Sequence, residues 1–433
     1  MNVKKGEGLM IRFIHAADLH LGQPMKKIKT QNKKLYHSLL KATEESFFRL
    51  IDIAINEKVD FVLLAGDLYD NPKGSLQEQF LLKQGLDRLA QANIKTFMLF
   101  GNHDHLAMAQ DHLRFPEEVT VFPREITTVH FTSKSKEEVA ITGFSYDQRW
   151  IREDMARKFP KRFDKADYHL GMFHGQERQG RSDKDHYCPF TRTSLEELGY
   201  DYWALGHIHK SQILQARVPI VYPGNIQGTH FKEKGPKGAC LVTLSKGREA
   251  EIEFVETTDW QFYEQPIKLP LLDGVDDLRE IFERTYQEVK RTAEEEGLHL
   301  LTQFCFQLSL TDKDNLLLLK RYGEELMDQL RWQIDNKDNN FVAYPITYSI
   351  EVDRSEQKRV SNLYQQALLE KWQEYKDPAK FEALLQALFR HYHWQRYLKK
   401  EVDDEQFQED VYQQALNKMD LSTTNYRQKQ WRD

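Results

Sequence analysis

Phe61-Val62-Leu63-Leu64-Ala65-Gly66-Asp67 decides the fold: an unbroken apolar run stops at a glycine followed by a carboxylate. A short apolar run bounded by a turn signal reads as a strand buried on both faces. The same construction recurs on either side. Ile11-Arg12-Phe13-Ile14-His15 ends just before Asp18-Leu19-His20, and the run from Ile94 to Phe100 ends at Gly101-Asn102-His103-Asp104. Between the runs, Leu39 to Ala54 and Leu76 to Ala90 place apolar residues three and four apart on a polar background, the pattern of amphipathic helices. The order is βαβαβ, which predicts an α/β domain with a parallel sheet and a crevice beyond the carboxyl ends of its strands. All three polar segments emerge there, and the glycines at 66, 101 and 206 permit sharp turns that let backbone come close to a bound ion.

His174 and Gly206-His207-Ile208-His209 complete a mixed oxygen and nitrogen donor set. Such a set suits two adjacent divalent cations and predicts metal-assisted cleavage of a phosphate ester. In extended backbone, residues i and i+2 project to one side, so Asp18 with His20, and His207 with His209, would each offer two ligands to a shared site. His391 and His393 have the same spacing, but in a helical stretch they diverge and take no metal role. Singly, Asp67 and Asn102 are ordinary turn residues beside glycine, and His174 at the end of the apolar run from Tyr168 reads as a core histidine. Their order as a set reverses that.

This ordered set resembles the calcineurin-like metallophosphoesterases. Phe13 to Gly22 and Leu205-Gly206-His207-Ile208-His209 resemble the SbcD-type DNA-repair nucleases, and Tyr187-Cys188-Pro189-Phe190, Asp201 to His209 and Tyr222 to Gly228 are similar to a bacterial YhaO branch. Where that branch commonly has an arginine after Gly228, this chain has Thr229. The resemblance implies a layered β-sandwich flanked by helices. It implies that Asp18, His20 and His209 hold one metal, that Asn102, His174 and His207 hold the other, and that Asp67 bridges both. His103 then protonates the leaving 3′ oxygen, and Asp104 orients or charge-stabilises an imidazole. Hard oxygens mixed with imidazoles, without thiolate, favour Mn2+.

The remaining histidines have blander readings. His15 lies inside the first strand and is structural or supports a ligand from behind. His37, His105, His169, His186 and His230 take no role, except that His105 and His186 line the cleft. Asp70 caps or turns the loop before Pro72.

Composition sets the outer bounds. The chain has 433 residues, 40% of them hydrophobic and 12% aromatic, enough for two or three domains with sizeable cores. No apolar run approaches the length of a bilayer span, Met1 to Gly8 lacks a signal core, and Cys188, Cys240 and Cys305 are unpaired in spacing, so a cytoplasmic location is expected. A net charge of −6 argues against a generally basic DNA-binding surface. Local patches matter more, and Lys26, Lys27, Lys29, Lys33 and Lys34 follow the Asp18/His20 segment closely enough to rim the crevice and touch DNA. The clusters from Arg152 to Lys165 and at Lys232, Lys234 and Lys237 are more diffuse.

Three regions are expected: a catalytic domain over residues 10–268, a small α/β cap domain over 269–354, and a charged helical region over 355–433. Residues 211–268 read as short strands completing a second sheet. In the C-terminal region, Leu363, Trp372, Phe381, Leu384, Leu388 and Phe389 build apolar faces that pack on the chain itself or dock on a partner. The family resemblance implies an SMC-like ATPase partner of the SbcC/YhaN type; a homodimer stays open. The expected activity is that of a metal-dependent DNA exonuclease. The rivals are a phosphatase or nucleotide phosphodiesterase on the same fold, and a non-catalytic DNA-end scaffold for the ATPase. Against a protein phosphatase, the stretch from Gly66 to Asn71 has no arginine after Asp67.

Overall fold

The computed structural model describes residues 10–352, apart from 24, 26–27, 29, 31, 72–73, 107–112, 179–186, 310–311 and 338–340, together with residue 380. Strand β1 (Met10–Ala16), helix α1 (Lys33–Asn56), β2 (Phe61–Ala65), α2 (Leu76–Gln91) and β3 (Lys95–Leu99) follow one another as their spacing predicts. α1 begins earlier than its apolar stripe, because the Asn32 side chain accepts from the amides of Lys34 and Leu35. α2 starts on a reciprocal Ser75/Glu78 capping box. Then come β4 (Val119–Val121), β5 (Thr127–Thr132), β6 (Glu138–Gly143), β7 (Tyr168–His174), the short α3 (Arg192–Glu196), β8 (Tyr202–Gly206), β9 (Gln212–Leu214), β10 (Ile220–Tyr222), β11 (Gly238–Ser245) and β12 (Glu251–Glu256). The last described elements are β13 (Trp260–Lys268), α4 (Val275–Glu296), β14 (His299–Leu308), α5 (Lys313–Lys337) and β15 (Ala343–Val352).

Two six-stranded sheets form, ordered β12-β11-β1-β2-β3-β4 and β5-β6-β7-β8-β10-β9, and β13-β14-β15 make a third, three-stranded sheet. β1, β2, β3 and β4 run parallel, as do β6, β7, β8 and β10. The strands after residue 211 do not all complete the second sheet, as their sequence suggests. β11 instead lies antiparallel to β1 in the first sheet, and β13 joins the third. The apolar run from Ala239 to Leu244 needs cover on both faces, and only an inner position between β1 and β12 supplies it.

Alternation explains the unbroken run in β2. Phe61, Leu63 and Ala65 face a core shared with Leu170, Met172, Tyr202 and Ala204 of the second sheet, whereas Val62 and Leu64 face Phe47, Leu50, Leu82 and Leu86 of α1 and α2. Sheet on sheet, with helices outside, is the layered sandwich the sequence implies. The packing of Cα atoms groups Met1–Phe306 with Leu317–Ser349 as one unit and Gln307–Leu316 with Ile350–Asp433 as a second. Within the first unit, the Asn32 amide donates to the Asp335 carbonyl at 3.0 Å and the Thr30 hydroxyl to its carboxylate at 3.0 Å, tying the loop after β1 to α5. Among the described residues, no helix is long and apolar enough to cross a membrane. All three cysteines are buried thiols outside any disulfide.

His15 joins the two sheets: its Nδ1 lies 2.9 Å from the Tyr202 hydroxyl in the dry core. Burial pushes its pKa down from 6.5 to about 3, against a backbone bond at Leu205 that raises it. Below about 6.5 the unfolded chain takes up a proton there and the folded chain does not, so stability falls as pH falls. This one group contributes a slope of about 1.4 kcal/mol per pH unit down to its folded value. Urea melts between neutral and acid pH should show His15→Gln less acid-sensitive than the parent by about one proton. An unchanged slope would remove His15 from the account.

Candidate metal centre

Parallel strands bring their carboxyl ends to one edge, and here the two sheets meet. A Cβ on Gly206 would lie 2.0 Å from the Ala65 carbonyl oxygen and 2.7 Å from His174 Nδ1, so only glycine lets the end of β8 approach the end of β2. Asp18 follows β1, Asp67 follows β2, Asn102 to Asp104 follow β3, His174 ends β7, and His207 and His209 follow β8. Residues scattered over nearly two hundred positions thus share one pocket.

The ligand pairs do not project from extended backbone, as their i, i+2 spacing predicts. Asp18, His20, Asp67 and His207 have φ of 51°, 43°, 51° and 100°. Non-glycine residues in this region are strained, at a cost on the order of 1–3 kcal/mol each, and such strain persists where surrounding structure enforces it. The enforcing bonds are visible: the amides of Asp18 and His20 donate to the carbonyls of Gly66 and Asp67, each at 3.0 Å, and the His207 amide donates to the Asp18 carboxylate at 3.1 Å. One consequence is that His207 and His209 part company.

Asp18, His20 and His209 bring donor atoms together, as do Asp18, Asp67 and His174. His20 Nε2 is 3.1 Å from His209 Nε2, and Asn102 Oδ1 is 3.0 Å from His174 Nε2 and 3.2 Å from His207 Nδ1. Asp67 stands between the two groups, its Oδ2 3.4 Å from His174 Nε2 and 3.8 Å from His20 Nε2. A cation about 2.1 Å from each donor sets neighbouring donors about 3.0–3.4 Å apart. Most of these separations are already edges of such a coordination shell, so the residues fit a pair of divalent ions.

Hydrogen bonds from behind aim the imidazoles. His174 Nδ1 lies 3.0 Å from the Ala65 carbonyl, to which it donates, leaving Nε2 to face the pocket. His209 Nδ1 lies 2.6 Å from Glu233 Oε1, and the same carboxylate accepts from the Thr229 amide at 2.8 Å. Nothing near Glu233 in the sequence marks it; the one available signal is an acidic residue in the loop after Gly228. His230, given no role from sequence, brings its Nε2 within 3.7 Å of Glu233 Oε1. A carboxylate behind a ligating histidine raises its basicity, and losing one typically costs about 10- to 100-fold in metal affinity. Glu233→Gln should therefore weaken metal binding at the Asp18/His20/His209 group by that factor and leave the Asn102/His174/His207 group nearly unchanged. Calorimetric titration with MnCl2 would read this as one shifted binding step, and two equal steps would argue against it.

Burial, chiefly, drives His20 and His207 down to about 3, so both offer lone pairs at neutral pH. Burial also acts on Asp67 and His174 but loses to their mutual attraction: the Asp67 carboxyl is held far below the usual range and His174 is raised to about 9. To hold a divalent ion there, His174 would have to give up its Nε2 proton. Burial, against the neighbouring imidazoles, lifts Asp18 to about 6.

His103 stands beside these groups. Its Nδ1 is 3.1 Å from the Asp70 carbonyl, its ring packs edge-on at 5.0 Å from the buried His20 ring, and its side chain is half-buried, as are His207 and His209. Asp70 does more than turn a loop, since its Oδ1 accepts from Gln23 at 3.0 Å and lies 3.8 Å from His20 Nδ1. Asp104 hydrogen-bonds no imidazole, contrary to its expected orienting role, although its charge is attracted by His174. Its oxygens accept from the amides of Leu68 at 2.6 Å, Tyr69 at 3.3 Å and Gly101 at 2.7 Å, which staples the Asp67 loop to the Asn102 loop. A fully buried carboxylate satisfies itself with the nearest N–H donors, and those belong to backbone. It is a positioning residue. Lys33 and Lys34 are exposed in the first turn of α1. Lys26, Lys27, Lys29, His186, Pro72 and the region 355–433, residue 380 excepted, lie outside the described residues.

Two oxygen and nitrogen donor groups sharing one carboxylate, at the strand-end edge of an α/β sandwich, define a metal-dependent phosphoesterase, a hydrolase built for two divalent ions. Residues 11–211 match the calcineurin-like phosphoesterase family. The chain is 36% identical over 295 residues to a Bacillus subtilis (strain 168) protein described as uncharacterized metallophosphoesterase YhaO, covering 68% of this chain and 72% of that one. It is also 26% identical over 269 residues to the DNA double-strand break repair protein Mre11 of Methanocaldococcus jannaschii, covering 57% of this chain and 66% of that one. A Mre11 protein of Methanopyrus kandleri is 22% identical over 274 residues, covering 58% and 57%. This chain belongs to the calcineurin-like metallophosphoesterase family.

Proposed function

We propose that this chain is a DNA exonuclease of DNA repair that hydrolyses phosphodiester bonds with two Mn2+ ions and works beside an SMC-like ATPase. The observation that carries the reading is the placement of His103, a half-buried imidazole packed edge-on against His20, beside the converging donor groups. A purely structural metal site has no use for such a group. DNA as substrate is supported by the similarity to the Mre11 proteins, and manganese by donors that are oxygen and imidazole without thiolate.

When bound, the two ions supply Lewis acidity and lower the pKa of water. Asp67, between the two donor groups, would hold both ions, while Glu233 fixes the ring of His209 and Asp104 locks the two loops that carry Asp67 and Asn102. His103, with Nδ1 committed to the Asp70 carbonyl, presents its other nitrogen to protonate the departing 3′ oxygen. Lys33 and Lys34 offer phosphate contacts.

The test is a substrate panel. The purified chain with MnCl2 is given end-labelled DNA, a phosphopeptide and a cyclic nucleotide. Stepwise shortening of the DNA supports the reading. Turnover of the phosphopeptide or cyclic nucleotide alone replaces it with a phosphatase or nucleotide phosphodiesterase, and DNA binding without any hydrolysis replaces it with a scaffold.

A further inference from the structure

A ladder of rings leads from the metal ligands to the surface. Tyr187 packs on His207 with ring centroids 4.5 Å apart and planes inclined by 34°, and Trp150 packs on Tyr187 at 5.1 Å and 38°. The Arg149 guanidinium sits 5.1 Å from the Trp150 ring centroid, and Trp150 is 43% exposed. Backbone bonds hold the ladder. Tyr187 pairs in parallel with Ile151, the Cys188 amide donates to the Ile151 carbonyl at 2.6 Å, and the Gln176 amide donates to the Tyr187 carbonyl at 3.0 Å. Gln176 lies two residues beyond the ligand His174, so the ligand strand and the outer rings share one hydrogen-bonded frame.

A large aromatic left partly in water at the mouth of a phosphoester site, with a cation at its face, matches what an unpaired base requires: a stacking surface and a positive charge near its phosphate. Bases inside a duplex have both faces covered by neighbours, whereas an unpaired base, or the last base of a strand, offers one. We propose that Trp150, backed by Tyr187 and flanked by Arg149, stacks an unpaired nucleobase next to the scissile phosphate, so that the preferred substrate is a single-stranded or frayed DNA end. This rests on the DNA reading above and adds where the strand's base goes.

Binding is measured by fluorescence anisotropy with a short labelled oligothymidylate, in the His103→Ala background so that the strand survives. Companion oligonucleotides carry a single abasic site at successive positions. Trp150→Ala should weaken binding of the intact strand about 5- to 150-fold. One abasic position near the strand end should cost the Trp150-containing protein a similar factor and cost the Trp150→Ala protein nothing further. Trp150→Phe should restore most of the loss. An abasic penalty equal in both proteins overturns the proposal, as does an abasic scan of the Trp150-containing protein with no sensitive position, which needs no variant to fold. Failure of every oligonucleotide to bind, with other phosphoesters still hydrolysed by the parent chain, overturns the DNA reading and the stacking site with it.

Discussion

Replacing Asp67 with alanine is expected to strip most of the bound metal from the chain and to lower DNA cleavage by on the order of a thousandfold or more. The carboxylate is 2% exposed, lies 3.4 Å from His174 Nε2 and 3.8 Å from His20 Nε2, and also accepts from the His103 amide at 3.0 Å. No neighbour can replace it. A Cβ at Gly101 would already lie 2.2 Å from Asp67 Oδ1, so the carboxylate fills a fitted space, and Asp18 alone would face two divalent charges amid neutral imidazoles. Asp67→Asn refines the test, because it keeps the acceptor for the His103 amide while removing the charge. Metal analysis of the dialysed proteins beside labelled-DNA digestion checks both. Unchanged digestion by Asp67→Ala would end the two-ion mechanism.

His103→Ala should separate what Asp67→Ala joins: full metal content with cleavage lowered about 10²- to 10⁴-fold, the usual worth of a positioned proton donor. His103 contributes its amide to Asp67 and its Nδ1 to the Asp70 carbonyl, whereas the close contacts of Asn102 Oδ1 are with His174 and His207. The defect should shrink sharply with a nitrophenyl phosphodiester, whose leaving group departs as a stable anion and needs no proton. Equal defects on DNA and on the nitrophenyl ester would give His103 a role in positioning rather than in proton transfer. Loss of an ion would make it a ligand.

How much of this could be seen before folding follows from what local sequence encodes. β1, α1, β2, α2 and β3 were legible because a strand buried on both faces must be apolar throughout and an amphipathic helix must repeat every three to four residues. β4 and β5 were not, since VTV and TTVHFT are short, half-exposed runs whose pairing partners decide them. The partner of β11 was equally hidden: its composition asks for burial but does not name β1.

The same division runs through the site. The order of Asp18, His20, Asp67, Asn102, His174, His207 and His209, each just past or at the end of an apolar run, was enough to name a candidate donor set, because parallel strands bring their carboxyl ends to one edge of their sheet; that the edges of two sheets meet was not encoded there. The sequence could not show that Asp18, His20, Asp67 and His207 turn through left-handed backbone, that His207 and His209 separate, that Glu233 lies behind His209, or that Asp104 serves backbone amides instead of an imidazole. Those facts depend on which groups lie within hydrogen-bonding distance once two sheets pack, and a chain read in one dimension carries residue types and spacings but no such distances. The candidate donors were legible in sequence; the direction each one faces was decided by tertiary contact.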